Sequence, residues 1–518
     1  MTNRVTKHIA IVGGGAAGWL CAARLAAAFD LSASDMRLTL IESPDIKNIG
    51  VGEGTWPSMR QTLQRIGISE KEFLSCCEAS FKQGSKFVGW RRGDGEYYYH
   101  PFTEPSQYQQ INLAQFWQDE LGRFDAAVAP QSDICDHHLA PKQLNTPDYA
   151  GVLPYGYHLN AGKFIELLRS YAVDKYGVQH VLADVTGVVA KGEDIESLHT
   201  LQHGEIAADL FIDCSGLNGL LIDGHYQVPW RSAKQYLFND AALAMHVPYV
   251  DASSPIQSAT VATATPHGWV WDIGLSSRRG VGHVFSRELS TEDEVAAALR
   301  RYVVDYTGLS ERAAGELSYR KITFDPGHRE VFWQGNCVAI GMAAGFIEPL
   351  EATALVLVEL AADMLCRELP SDREVMRVVA ARYNKVFRQH WSQIIDFLKL
   401  HYVFSDRQEP YWQRHRAAQS IPASLVDQLC LWRTRAPWHD DAVSALEMFP
   451  SASYQYVLYG MGFTPPQTSI FSRQEMALRQ QAGTLFEKNL VAVKQLRDHL
   501  PTNRFLLSDI AMRGANNA

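Results

Sequence analysis

The sequence lacks the cysteine framework that crosslinks small secreted domains. Its 518 residues contain eight cysteines, and the only close pair is Cys76 and Cys77. Scattered cysteines are typical of a reduced, cytoplasmic protein. The first apolar strand begins by His8, which leaves no room for a secretory signal peptide. We therefore expect a cytoplasmic protein without structural disulfides.

Long apolar runs and an excess of positive charge are also missing. No apolar run reaches the ~18 residues that a membrane helix needs. The formal net charge of −9 at pH 7 is spread along the chain, which disfavours nucleic acid and anionic membranes as partners. The acidic and histidine cluster from Asp133 to His138 lacks the paired spacing of a zinc site. It predicts a polar loop and no metal.

A strand–turn–helix–strand unit from His8 to Glu42 is the clearest positive feature. HIAIV is an apolar run suited to a buried parallel strand, and GGGAAG follows it directly. In this pattern Gly13 permits a tight turn, Gly15 lets a pyrophosphate approach the backbone, and Gly18 allows close helix–strand packing. Glu42 ends the second strand, where an acid accepts ribose hydroxyls. The unit predicts dinucleotide binding, with NAD and FAD equally admissible.

Two further segments suggest additional contacts with that ligand. Residues Gly50–Thr55 are too rich in glycine for a helix or strand interior. They form either a plain connection or a strap over a flat ligand, and their position after the nucleotide-binding unit favours the strap. An apolar strand ending at Asp213 and followed by Gly216 fits a second ligand contact and an ordinary strand end equally well.

Lys82 has an inconspicuous role when only its spacing is considered. It lies four residues after Glu78, in a segment predicted to be helical from Glu70. Spacing alone favours a surface lysine paired with Glu78, worth about 0.3–0.5 kcal/mol. The aromatic stretch at residues 96–102 holds one histidine, which indicates either core packing or a wall for a flat substrate.

A second strand-to-helix junction and a tryptophan pair complete the pattern. A strand runs into Gly341, and a long apolar helix begins near Thr353, where backbone N–H groups face an anion or a flavin ring. Glu348 and Glu351 precede this helix, and position alone assigns them to capping and dipole interactions. Trp269 and Trp271, at i and i+2 of a predicted strand, share one face, most simply for burial.

Five segments in order resemble the flavin-dependent tryptophan halogenase family, over roughly residues 8–465. The segments are GGGAAGW at 13–19, GVGEGTWP at 50–57, ASFK with KFVGW between 79 and 90, YHPF at 99–102 and PLEAT at 349–353. The resemblance implies FADH2- and O2-dependent chlorination or bromination of tryptophan or another indole. It selects FAD, and it implies a separate flavin reductase, because no second complete nucleotide fingerprint follows. A homodimer is a family-level expectation.

The resemblance implies a fold as well. It is α/β (α+β), with a Rossmann-like FAD-binding lobe that carries β-rich insertions of the flavin-monooxygenase type. This lobe spans 1–370 and includes interleaved substrate-site segments such as 79–102. A mostly helical substrate-binding or cap lobe follows at 371–505, and 506–518 is expected to be a loose tail.

The resemblance also assigns site residues, and it reverses the interpretation of Lys82. Lys82 matches the family's catalytic lysine, which receives hypohalous acid, and Glu351 matches the partner carboxylate that accepts the ring proton. Halide would lie beside Thr353 and Ala354. The implied FAD-binding residues are Gly13, Gly15, Ala16, Ala17, Gly18, Glu42, Gly52, Glu53, Asp213, Gly341 and Ile347. The implied substrate residues are His100, Phe102, Glu447, Phe449, Tyr454 and Tyr456, and the implied barrier residues are Trp269, Trp271 and Ile273.

The sequence departs from the family pattern in three places. The W-x-W-x-I-P motif ends in Gly274 instead of proline, and the serine of PLEST is Ala352. The paired tyrosines that hold the amino-acid head in members that act on tryptophan correspond to Tyr454 and Tyr456, and the lid around Glu447 and Phe449 aligns only loosely. An indole without that head, or an indole within a larger molecule, is therefore an alternative substrate.

Two other functions stay open at this point. A single-component FAD/NADPH aromatic hydroxylase of the same fold is disfavoured by the tryptophan pair and the helical lobe. A flavin-binding protein with decayed halogenase activity is supported only by Ala352 and Gly274, and Lys82 with Glu351 argues against it.

Overall fold

A computed structural model describes residues 6–46, 52–442, 444, 446–464 and 473–515. The strands are β1 His8–Val12, β2 Arg37–Glu42, β3 Gly52–Gly54, β4 Ser80–Lys82, β5 Gly84–Val88, β6 Tyr97–Pro101, β7 Gly156–Asn160, β8 Gln179–Leu182, β9 Val185–Lys191, β10 Asp194–Thr200, β11 Gly204–Ala207, β12 Leu210–Asp213, β13 Trp230–Ser232, β14 Ala241–Pro248, β15 Thr260–Thr265, β16 Gly268–Gly274, β17 Arg278–Phe285, β18 Tyr319–Thr323, β19 Gly327–Arg329, β20 Trp333–Gln334, β21 Cys337–Ala339 and β22 Gly345–Phe346.

The helices carry more of the second half of the chain than of the first. They are α1 Ala16–Ala28, α2 Met59–Ile66, α3 Glu70–Cys76, α4 Phe124–Val128, α5 Gln131–Asp136, α6 Ala161–Ser170, α7 Glu292–Thr307, α8 Glu311–Glu316, α9 Thr353–Arg367, α10 Arg373–Val403, α11 Pro410–Arg416, α12 Ala423–Trp432, α13 Ser451–Gly460, α14 Arg473–His499 and α15 Asn503–Ala515. No helix in the described ranges is long and apolar enough to cross a membrane.

The chain divides into two compact units, each built from three segments. Unit 1 comprises 1–79, 159–233 and 324–391. Its main sheet has the order β20-β21-β12-β1-β2-β8, and the five strands from β21 to β8 run parallel. The apolar strand β1 lies at its centre, as expected for a sheet covered on both faces. The predicted α/β class with a Rossmann-like sheet is confirmed.

Unit 2 comprises 80–158, 234–323 and 392–518. Its seven-stranded sheet has the order β18-β14-β17-β16-β15-β5-β6. All pairings are antiparallel except β15 with β5, which is parallel. Helix α7 packs Val295 and Leu299 against Leu243 and Val281 of this sheet in one apolar core.

The predicted helix around Lys82 is wrong. Helix α3 ends at Cys76, Glu78 adopts a left-handed conformation with φ of 50°, and β4 starts at Ser80. A positive φ at Glu78 ends the helical path, because a continuous helix requires negative φ. Glu78 instead pairs with Lys163 at 2.9 Å.

The C-terminal segment and the unit boundaries also differ from the sequence-based picture. Residues from 506 were expected to be loose, whereas Leu506 and Leu507 are buried on α15. The boundary predicted at 370 falls between α9 and α10, while the two units divide within α10, after Trp391. Segment 80–158 belongs with the C-terminal helices and not with the nucleotide-binding sheet.

Candidate functional site

The glycine loop of unit 1 packs closely against neighbouring backbone at the two glycines assigned to the tight turn and to helix–strand packing. Gly13 has φ of +119°, and a Cβ there would lie 2.2 Å from the Cys214 carbonyl oxygen. A Cβ on Gly18 would lie 1.9 Å from the Gly13 carbonyl oxygen. Gly15 is the N-cap of α1 and brings no side chain to that end of the helix. The predicted residues Gly13 to Gly18, including Ala16 and Ala17 in the first turn, therefore fit the phosphates of FAD.

Glu42 lies at the carboxyl end of β2, next to this loop. A Cβ on Gly14 would lie 2.4 Å from the Glu42 Cγ atom, so the side chain rests on the loop backbone. Its Oε2 atom is 3.0 Å from His180 Nε2. The position fits an acid that accepts hydrogen bonds from a ribose.

Asp213 ends β12 and organises the loop that follows. Its carboxylate accepts hydrogen bonds from the backbone N–H groups of Ser215, Leu221 and Ile222 at 2.8–3.0 Å. A carboxylate with several backbone donors holds a loop in place. A direct contact between Asp213 and a flavin stays a prediction, as do the contacts of Gly341 and Ile347.

The residue that follows Thr55 of the glycine-rich strap is hydrogen-bonded to the loop before helix α9, within unit 1. Gly50 and Val51 lie outside the described residues, and Gly52 to Gly54 form β3. Trp56 Nε1 donates a hydrogen bond to the Glu351 carbonyl oxygen at 2.8 Å. Burial raises the pKa of the Glu53 carboxyl to about 7.

Helix α9 begins with an unusual N-cap. Ala352 has φ of 54° and ψ of 44° and offers no capping side chain. The N–H groups of Thr353 and Ala354 therefore meet no cap from this residue, which suits an anion at the helix start. Glu348 and Glu351, immediately before it, are both buried.

Lys82 is a buried residue of unit 2, not a surface lysine. Its exposed fraction is 1%, and β4 pairs it with Gly156 of β7. Lys82 Nζ lies 5.5 Å from the centroid of the Phe102 ring, within range of a cation–π interaction. Burial, together with the nearby Lys82 charge, holds the pKa of His158 well below its usual value.

Four of the six predicted substrate residues, His100, Phe449, Tyr454 and Tyr456, meet in one aromatic cluster of unit 2. His100 Nε2 lies 2.9 Å from Ser453 Oγ, and the His100 ring is 6.3 Å from that of Tyr456. Sequence reasoning missed Phe397, which lies at the centre: it is 5.5 Å from His100, stacks on Phe449 at 3.8 Å and meets Tyr454 at 5.0 Å. Its only sequence signal was the aromatic-rich helical pattern after residue 372.

Two polar side chains among the predicted substrate residues already make hydrogen bonds within the protein. The Tyr456 hydroxyl donates to the Thr103 carbonyl oxygen at 2.8 Å. Glu447 accepts a hydrogen bond from the Gln393 side chain. Tyr456 therefore has no hydroxyl proton left to donate to a carboxylate while this bond persists.

The barrier residues lie on the fully buried strand β16. The Trp269 and Trp271 rings are 6.4 Å apart, which confirms that the two tryptophans share a face. Asp272, on the other face, pairs with Arg279 and accepts a hydrogen bond from the Tyr302 hydroxyl at 2.9 Å. A barrier role for Trp269, Trp271 and Ile273 stays a prediction.

The acidic and histidine cluster from Asp133 to His138 was predicted to be a loop, and this is wrong, because Asp133 to Asp136 belong to helix α5. Asp136 accepts hydrogen bonds from Lys86 at 2.7 Å and from the Tyr99 hydroxyl at 2.9 Å. Among the described residues, no group of three His, Cys, Asp or Glu side chains could hold a metal ion.

The glycine loop on a parallel α/β sheet is typical of a dinucleotide-binding enzyme, and unit 2 adds a buried lysine beside an aromatic ring. The tryptophan halogenase family model matches residues 8–475. The chain belongs to this family of flavin-dependent halogenases, enzymes that use FAD and a halide, and the predicted activity class is confirmed.

Individual relatives match over nearly their whole length. The tryptophan 7-halogenase RebH of Lentzea aerocolonigenes is 32% identical, over 96% of this chain and 97% of its own. The tryptophan 6-halogenase SttH of Streptomyces toxytricini is 30% identical, over 97% and 98%. The crystal structure of a tryptophan halogenase from Shewanella frigidimarina NCIMB 400 superposes with a TM-score of 0.94 at 46% identity, covering 99% of this chain and 98% of that one.

Proposed function

We propose that this protein chlorinates or brominates an indole at a carbon presented to Lys82. The observation that carries the proposal is the burial of the Lys82 ammonium against the Phe102 ring. Burial of an ammonium group costs free energy that other interactions must offset, so a lysine in this place is not explained by apolar packing. The segment that holds it also matches the family's lysine segment.

FAD, bound at the glycine loop and supplied in reduced form by a separate reductase, would use dioxygen to oxidise halide to hypohalous acid. Gly13, Gly15 and Gly18 would accommodate its pyrophosphate, and Glu42 would accept hydrogen bonds from its ribose. The strap residues Gly52 and Glu53 are proposed as additional contacts, together with Asp213, Gly341 and Ile347. The halide would bind near Thr353 and Ala354, where helix N–H groups favour an anion.

Lys82 would activate the halogen. An ammonium group offers three hydrogen-bond donors and no acceptor, so it can donate to the oxygen of hypohalous acid and increase the positive character of the halogen. Glu351 is proposed as the base that accepts the proton from the substituted ring carbon. This pairing rests on the match to the family's motifs.

The substrate would be held mainly through its ring. His100, Phe102 and Phe449 would contribute aromatic contacts, because flat rings stack well on other aromatic rings. Because the Tyr456 hydroxyl donates to Thr103, it is not set up to donate to an amino-acid carboxylate. We therefore propose an indole without that head group, or an indole in a larger molecule, ahead of free tryptophan.

A reductase-coupled panel tests this proposal. Indole, tryptophan and a tryptophan-containing peptide are incubated with FAD, NADH, a flavin reductase and chloride or bromide, and products are identified by mass. We expect a halogenated product from indole or the peptide at a higher rate than from tryptophan. Rapid NADPH consumption without the reductase and without halogenated product would instead identify a single-component hydroxylase.

The Lys82 assignment has a matched control in the neighbouring strand. We expect Lys82→Met to lose halogenation while FAD affinity is kept. Lys86→Met removes a lysine that pairs with Asp136 at 2.7 Å and is expected to keep halogenation. A Lys82→Met enzyme that halogenates at the wild-type rate would refute the role of this lysine.

A further inference from the structure

Trp19 ends the GGGAAGW segment, and the requirements of a phosphate loop do not explain it. It is fully buried on α1. Its indole ring meets the ring of His180 edge-on, with centroids 4.9 Å apart and planes at 77°. Edge-to-face pairs of this kind fix the orientation of both rings. The tryptophan therefore gives His180 a defined ring position.

His180 in turn contacts the acid at the end of β2. In the parallel pairing of β2 with β8, Leu40 lies opposite His180. Leu40 and Glu42 are two residues apart on one strand, so Glu42 and His180 point to the same face of the sheet. The separation between His180 Nε2 and Glu42 Oε2 is 3.0 Å. An ionised carboxylate can only accept, so Nε2 carries the hydrogen of this bond.

The bond places the carboxylate on the glycine loop. A Cβ on Gly14 would lie 2.1 Å from Glu42 Cδ and 2.4 Å from Oε1. His180 thus engages Oε2 while Oε1 lies over the loop. A carboxylate that is held at one oxygen loses rotational freedom before any ligand arrives, which lowers the entropy cost of binding.

We propose that His180 is a positioning residue for FAD: it holds the Glu42 carboxylate at the glycine loop, ready to accept a hydroxyl of the adenosine ribose. Trp19 supports the imidazole from the side of α1. The inference rests on the FAD site of the proposed function and on no feature of the halogenation chemistry.

Affinities of purified protein for FAD, ADP and FMN, measured by calorimetry, test the proposal. FAD and ADP contain the adenosine ribose, whereas FMN does not. His180→Phe keeps an aromatic ring beside Trp19 and removes the donor. Because hydrogen bonds to charged groups contribute more than neutral ones, we expect the dissociation constants for FAD and ADP to rise roughly tenfold, while that for FMN is unchanged.

Two further variants separate positioning from simple structural support. His180→Gln retains an N–H donor near the Nε2 position and is expected to restore affinity to within about threefold of the wild type. In a Glu42→Ala background, which removes both carboxylate oxygens, the additional effect of His180→Phe is expected to fall to less than about twofold, because the shared interaction is already lost. His199→Gln, a histidine of β10 that lies 3.7 Å from Glu205, is the matched control and should leave all three affinities unchanged.

Specific results would overturn the inference. His180→Phe with unchanged FAD and ADP affinity contradicts it, as does an equal loss for FMN, which would indicate general damage to the site. A full tenfold effect that persists in the Glu42→Ala background also contradicts it. Failure of the FAD site itself would look different, because the wild-type protein would then bind none of the adenosine ligands.

Discussion

At the residue scale, the backbone conformation of Glu78 determines whether Lys82 is exposed on a helix or buried in a strand. A helical spacing predicted a surface ion pair between the two, and the left-handed φ of Glu78 prevents it. The helix-to-strand change leaves Lys82 in β4 with an exposed fraction of 1%. Spacing rules alone could not foresee this, because Glu78 has no local feature that demands a positive φ. Only the match to a family segment predicted the role of Lys82.

Ser453 offers a residue-scale test of how the ring of His100 is oriented. Its Oγ atom lies 2.9 Å from His100 Nε2, so Ser453→Ala removes a restraint on the imidazole. We expect a rise in KM of about three- to tenfold, the equivalent of a hydrogen bond worth ~1 kcal/mol, and a changed ratio of halogenated positions. Ser453→Thr keeps the hydroxyl and serves as the control. An unaltered KM and product ratio for Ser453→Ala would contradict the prediction, and product analysis by chromatography provides the measurement.

Substitution by alanine should be harmful at one glycine and stabilising at another. Gly18→Ala places a Cβ 1.9 Å from the Gly13 carbonyl oxygen, so FAD affinity should fall by more than roughly tenfold as the loop is displaced. Gly483, on α14, has open space at its Cβ position, and Gly483→Ala should stabilise the helix by about 0.5–1 kcal/mol. FAD titration tests the Gly18→Ala variant, and thermal melting tests the Gly483→Ala variant. Undiminished FAD affinity in Gly18→Ala would contradict the assigned phosphate loop.

At the element scale, Glu359 joins α9 to α2 through a buried carboxyl. It accepts hydrogen bonds from Ser58 at 3.1 Å and from Thr62, and burial raises its pKa to about 7. The folded protein therefore keeps this proton at pH values where the unfolded chain has lost it. Stability from this group is complete below about pH 4.5, the unfolded pKa, and declines as pH rises to about 7.

Glu359→Gln should flatten that pH dependence. The melting temperature of the wild type is expected to fall more between pH 5 and pH 7 than that of the variant, because a neutral amide does not titrate. Glu316→Gln alters an exposed carboxyl of a helical ion pair and should follow the wild type. Parallel melting curves for wild type and Glu359→Gln across this range would show that Glu359 does not titrate as expected.

Strand β16 shows a different limit of sequence reasoning at the element scale. Its period-two pattern predicted a shared face for the tryptophans. The pattern could not show that Asp272, on the opposite face, forms a buried ion pair with Arg279. This pairing depends on the register between β16 and β17, which the pattern of a single strand does not contain.

Removing one member of this pair should be costly. We expect Asp272→Asn to destabilise the protein by about 3–5 kcal/mol, since Arg279 would remain buried without its counter-charge. Arg312→Ala breaks the exposed pair with Glu316 and should cost less than about 0.5 kcal/mol. Thermal melting of both variants measures the two losses of stability. Equal shifts in melting temperature would contradict the prediction.

At the scale of the whole molecule, the first βαβ unit and the helical C-terminal third could be predicted from the sequence, because both depend on local periodicity. The assembly of unit 2 could not. It joins 80–158 and 234–323 with 392–518, and its sheet depends on pairings such as Ser85 with Thr260. Pairings at such separations leave no local pattern. Helix α15 was not predicted for a related reason. Its apolar contact face is short and lies among polar residues, so its sequence shows no clear helical periodicity.

The end of the chain should therefore matter to the molecule as a whole. Asn503 Nδ2 donates to the carbonyl oxygen of Phe81, beside Lys82, at 3.1 Å. A chain ended after Thr502 is expected to melt several degrees lower than the full chain and to lose most halogenation. A chain ended after Ala515 keeps α15 and should behave like the full chain. Equal melting temperatures and rates for the two truncations would contradict the prediction.

The hydrogen bond between Asn503 and Phe81 also has a consequence for the time at which the protein acquires activity. The two residues are 422 positions apart. At roughly 5–20 residues per second, the ribosome makes Asn503 about 20–80 s after Phe81. The strand that carries Lys82 therefore completes its surroundings only after Asn503 has been made. A nascent chain can already have a folded glycine loop while the lysine proposed to handle an oxidising halogen is still unassembled.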